Sequence, residues 1–177
     1  MRGFTLIELM VLTVVVAILA TIAIPDFSSS IANNRDTAQV NSLLNSLYLA
    51  RSDAIKSGVP VTICAGGNPP ECSGTSPTWS SGWVVYYATL PPGATTRVIR
   101  VYPANPSSTF TSDNGYSFTF QPNGALSPAP AGGVNLTLCD SRGARYAHSL
   151  GLMATGRAEA AAQVGYQVNG STALTCS

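Results

Sequence analysis

Apolar and polar positions divide the chain into three regimes. From Phe4 to Ile24, twenty-one residues run apolar with a single charge, Glu8. At about 1.5 Å rise per residue such a helix is roughly 31 Å long, which matches the hydrocarbon core of a bilayer. Pro25 closes the run and marks a place for a kink or local loosening, because proline removes a helical hydrogen bond and crowds the preceding turn. From about Ser28 to Ser57 the spacing changes. Val40, Leu43, Leu47, Ala50 and Ala54 recur at intervals of three and four, with Leu44 and Ile55 alongside. These intervals predict an amphipathic helix whose other face carries Asn33, Asn34, Arg35, Asp36, Gln39, Asn41, Arg51, Asp53 and Lys56; Gly58 and Pro60 stop it.

After Pro60 the period falls to two. Val61–Cys64, Gly82–Tyr87, Arg97–Tyr102, Tyr116–Phe120, Val134–Leu138 and Arg145–Met153 read as strands, and Gln163–Val168 as a last one. Pro122-Asn123-Gly124 is a turn, Pro103–Ser108 a loop, and Ser127–Gly133 an exposed connection. Antiparallel sheet laid on the apolar face of one long helix gives an α+β fold. The expected division is residues 4–24 for the apolar helix, 25–57 for its amphipathic continuation and 58–177 for one β-rich domain.

Glu8 stands out against this pattern. A carboxylate at the centre of a membrane span costs on the order of 2.5–3.5 kcal/mol on insertion scales and less near an end, so it calls for a partner, and its own helix offers no base. Charge elsewhere is sparse: 9 basic and 8 acidic residues among 177 make no global case for nucleic acid. Low charge with abundant glycine and proline suits a strand-and-turn domain outside the cytoplasm. Cys64, Cys72, Cys139 and Cys176 fit an oxidising compartment, and three pairings exist. Cys64 with Cys72, and Cys139 with Cys176, is the favoured set. Zinc is the alternative, but no spacing resembles a C-x₂₋₄-C knuckle, and no metal or cofactor is expected.

Gly3-Phe4-Thr5-Leu6-Ile7-Glu8-Leu9 resembles the processing site of type IV prepilins and of the pseudopilins of type II secretion. The resemblance implies a leader of residues 1–3, cleavage between Gly3 and Phe4 by a prepilin peptidase, N-methylation of Phe4, and assembly in which the new amine neutralises Glu8 of a neighbouring subunit. Ile63-Cys64, Cys72-Ser73-Gly74, Trp79, Gly82-Trp83, Leu138 to Gly143 and Thr155-Gly156-Arg157 resemble the GspH/FimT branch of minor pilins. That implies a non-enzymatic subunit with a single pass through the bacterial inner membrane, its C-terminal domain in the periplasm, and other pilins or pseudopilins as partners. Arg2 ahead of the apolar run agrees with a cytoplasmic leader. A secretory signal peptide or an uncleaved signal anchor is the alternative, although the run exceeds the roughly 7–15 residues of a signal-peptide h-region.

Candidate chemistry is thin. His148 near Asp140 and Ser141 lacks a nucleophile elbow, the carboxylates are dispersed, and Trp79 and Trp83 read as core ahead of a stacking platform. Arg142, Arg145, His148 and Arg157 could line one sheet edge as a phosphate-contacting patch. The DNA-binding, competence-associated relatives carry Gly-Arg-x-Arg near this point. Here the residues are Gly156-Arg157-Ala158-Glu159, with a carboxylate at the second arginine. DNA is therefore the alternative partner.

Overall fold

The computed structural model describes residues 3–66, 72, 79, 81–103, 105 and 107–176, without the side chains of residues 22–26. Met1 and Arg2 of the expected leader, the side chains around Pro25, and most of the loop between Cys64 and Cys72 lie outside the described residues. Two compact units are resolved, residues 1–35 and 36–177, so the boundary falls ten residues beyond Pro25.

Helix α1 spans Leu6–Ser57 as one assignment. Its described apolar part stops at Thr21, and among the described residues no helix is long and apolar enough to cross a membrane. The predicted stripe is the buried face: Val40, Leu43, Leu47, Ala50 and Ala54 are all in the core. Gly58 ends the helix with a positive φ of 68°, and its N–H donates to the Ala54 carbonyl at 3.1 Å.

One sheet was expected, and there are two. β1 (Val61–Ala65), β2 (Gly82–Tyr87), β3 (Val98–Pro103) and β5 (Ser117–Phe120) form the first, in the order β3-β2-β1-β5. β4 (Ser108–Ser112), β6 (Val134–Asp140), β7 (His148–Leu152) and β8 (Ala158–Ala160) form the second, in the order β4-β6-β7-β8; every pairing is antiparallel. Ile63, Val85 and Phe118 from the first sheet meet Phe110, Leu136 and Leu150 from the second in one core with the α1 stripe.

Polar positions flanking the buried stripe tie α1 to both sheets. Trp83 Nε1 donates to Ser46 Oγ at 2.9 Å, Tyr48 Oη to the Ala158 carbonyl at 2.7 Å, and Ser108 Oγ to Gln39 Oε1 at 2.6 Å. The first and third satisfy groups that burial would otherwise strand.

Three expectations need correction. Arg145–Met153 is not all strand: a 3-10 turn, Ala144–Tyr146, precedes β7. Gln163–Val168 is no strand but the first arm of a turn that lies over β7, with a single bridge from Tyr166 to Ala173 and glycines at positive φ at 165 and 170. The strands β4 and β8 are additional.

Candidate functional site

The N-terminal segment begins with a cap. Gly3, Phe4 and Thr5 are non-helical, and Phe4 is 82% exposed. The Glu8 N–H donates to Thr5 Oγ1 at 3.3 Å, and the Leu9 N–H donates to the Thr5 carbonyl at 3.2 Å. Thr5 and Glu8 have the spacing of a capping box, which sets an acid three residues into a helix, where the unpaired N–H groups favour negative charge. From Phe4 to Leu19 every large apolar side chain is exposed, on all sides of the helix. A helix of this kind finds its place among apolar neighbours, in lipid or in a helical bundle.

The cysteines pair as favoured, Cys64 with Cys72 and Cys139 with Cys176, which leaves none for zinc. Trp79 and Trp83 are both buried. Trp79 stacks on Phe118 at 5.5 Å and Trp83 on Tyr102 at 5.1 Å, so neither offers a free platform.

The C-terminal arginines do not converge. Arg142 and Arg145 lie at the β6–β7 connection, whereas Arg157 occupies the β7–β8 turn at the opposite end of β7. Arg142 is enclosed by acids: its Nη2 reaches Asp36 Oδ2 at 3.0 Å, its Nε meets Asp140 Oδ2, and its guanidinium lies 4.6 Å from the centre of the Tyr146 ring. Burial and the neighbouring Asp140 charge hold the Asp36 carboxyl above its ordinary range, against the pull of Arg142. Asp140 is also partly desolvated, but hydrogen bonds from the Arg142 backbone and guanidinium prevail and bring it down. His148, half-buried beside this cluster, is lowered by burial. Ser141 is exposed, and no bond joins it to His148 among the described residues. The cluster is an electrostatic joint between α1 and the second sheet. Sequence reading missed Asp36 within it, because Arg142 and Asp140 are more than a hundred positions away.

Arg157 donates to Glu159 at 2.7 Å, so the carboxylate in place of a second arginine neutralises the first. Gly156, with φ of 76°, presses against the Gly124 carbonyl oxygen, which also accepts a hydrogen bond from Arg51 Nε at 3.1 Å. This glycine is needed where two turns meet α1. Arg145 is exposed on the 3-10 turn.

The family model described as Type II transport protein GspH matches residues 39–156, more than half of the chain. Two crystal forms of the Pseudomonas aeruginosa type IV minor pilin FimU are similar in structure. One aligns with a TM-score of 0.57 at 20% identity, covering 72% of this chain and 88% of that one; the other has a TM-score of 0.55 at 19% identity, covering 70% and 90%. The minor pseudopilin EpsH of the Vibrio cholerae type 2 secretion system aligns with a TM-score of 0.46 at 9% identity, over 71% of this chain and 94% of that one. No curated protein sequence matches. The likeness to FimU establishes the α+β type IV pilin fold, and the family match, running from the buried helix face through both sheets to Gly156, shows that the chain belongs to the GspH family.

Proposed function

We propose that this chain is a non-enzymatic minor pilin or pseudopilin, a subunit that enters the filament of a type II secretion system or type IV pilus through its N-terminal helix. The observation that carries this reading is the state of residues 3–19: a non-helical Gly3–Phe4 bond, a capped acid at Glu8, and large apolar side chains exposed on all sides of the helix. A peptidase acting at Gly3–Phe4 frees an amine at Phe4. In the apolar interior of a helical bundle, that amine and a neighbour's Glu8 relieve each other's desolvation and fix the stagger between subunits. Before assembly the same helix anchors the chain in the inner membrane, with residues 58–177 on the periplasmic side.

The arginines favour this reading over DNA capture, since Arg142 and Arg157 are occupied by carboxylates and stand at opposite ends of β7. The test is intact mass of the membrane-extracted protein from cells with active prepilin peptidase. The expected product begins at a methylated Phe4. A product retaining Met1 to Gly3 overturns the reading.

A further inference from the structure

Strand β3 is the outer strand of the first sheet: among the described residues it pairs with β2 alone and is the most solvent-exposed strand. Its register against β2 slips once. Val85 faces Arg100, whereas Tyr86 faces Val98, so Ile99 is an extra residue, a β-bulge. One position further on, the Tyr87 N–H donates to the Arg97 carbonyl at 2.8 Å. The bulge has a consequence for the side chains. Three positions apart on a regular strand, Arg97 and Arg100 would point to opposite faces. With Ile99 looped in, they stand opposite Tyr87 and Val85, two positions apart on β2, and so share a face about 7 Å apart, two strand steps of roughly 3.3 Å.

Both arginines are exposed, and neither makes an ion pair among the described residues. No acid occurs in the sequence from Cys72 to Ser112. The Arg100 guanidinium lies 5.8 Å from the centre of the Tyr102 ring, which is itself stacked on Trp83. Arg142 and Arg157 are paired with carboxylates within the fold, whereas the two arginines at this edge are exposed beside the core-facing Val85.

We infer that the β3 edge receives an extended acidic segment of another protein subunit, which adds as a fifth strand with carboxylates at alternate positions opposite Arg97 and Arg100. Alternate side chains of a strand share a face at the same spacing as the two arginines, so two carboxylates meet two guanidiniums without distortion. Backbone groups of the outer strand supply affinity, with the Val98 carbonyl exchanging its bond from Thr96 Oγ1, and the arginines supply choice of partner. A second copy of β3 is disfavoured because its own arginines would repel these two. Only the origin of the segment, a neighbour in the filament, rests on the proposed function.

The test uses the full-length protein in detergent micelles. The probes are a fluorescent seven-residue peptide alternating threonine and glutamate, its lysine counterpart, and a thymidine oligonucleotide. The glutamate peptide is expected to bind, more weakly as salt rises, and the lysine peptide not to bind. Arg97→Glu with Arg100→Glu should weaken the glutamate peptide at least about tenfold and admit the lysine peptide. Arg97→Gln with Arg100→Gln, a milder change that preserves folding, should lose the glutamate peptide without gaining the other, while Arg145→Gln leaves binding unchanged. Equal binding by wild type and the glutamine variant overturns the inference. So does an oligonucleotide that displaces the peptide and needs the same two arginines, which would make the edge a nucleic-acid surface. Failure of N-terminal processing with peptide binding intact would remove the filament reading and leave the acidic-strand edge standing.

Discussion

A methyl group on Gly156 would collide with the Gly124 carbonyl oxygen, and the backbone there has a φ of 76°. Gly156→Ala therefore combines left-handed strain of about 1–2 kcal/mol with displacement of the turn that Arg51 holds, and is expected to destabilise the domain by at least about 2 kcal/mol in chemical unfolding. A variant as stable as wild type would show that the two turns can separate freely. Asp36 gives a pH-dependent case. Its carboxyl is raised in the fold, so its contribution to stability is full below the ordinary value of 3.8 and is lost as pH climbs through the higher folded value. Asp140 is lowered, and its contribution is present above 3.8 and lost as pH falls through its folded value. Asp36→Asn removes the first titration, so the stability of the variant relative to wild type should improve as pH rises from 3.8 toward neutrality. Urea unfolding across that range checks it, and a constant difference would mean that Asp36 titrates normally.

Among the elements, the segment after β8 acts as a strap over the second sheet. Ser149 Oγ donates to the Tyr166 carbonyl at 3.0 Å, the Gly165 N–H to the Ala147 carbonyl at 2.8 Å, and the disulfide to Cys139 fastens its end. Replacing Cys139 and Cys176 with serine should cost about 2–4 kcal/mol and speed amide exchange at Gly165 and Leu174 well before the α1 amides. Uniform acceleration would mean the strap has no separate stability. The pattern of the chain made some elements readable and hid others. Val40 to Ala54 were legible because helical spacing of apolar residues requires one buried face, β1 and β2 because their runs are rich in β-branched and aromatic residues, and β6 because its apolar residues alternate. β4, Ser-Thr-Phe-Thr-Ser, carries one large apolar residue, and its burial comes from pairing with β6, a partner distant in sequence. β8 is three residues of alanine and glutamate with no apolar run to announce it. The candidate site divides in the same way: Gly3 to Glu8 form a local motif, whereas the acids around Arg142 and the bulge that aligns Arg97 with Arg100 depend on strand register.

For the whole molecule, assembly makes a demand that folding does not. Glu8 lies in the first turn of α1 and is no member of the domain core, so Glu8→Val should leave the melting temperature of that domain unchanged while abolishing incorporation into filaments, as read by sedimentation of sheared material. Normal incorporation would remove the proposed pairing with the Phe4 amine. The domain itself follows a different rule, set by the ties from Gln39, Ser46 and Tyr48. One helical surface is the shared floor of both sheets, so peeling either sheet away wets the underside of the other. A protease that reaches one layer should therefore find the underside of its neighbour opened as well.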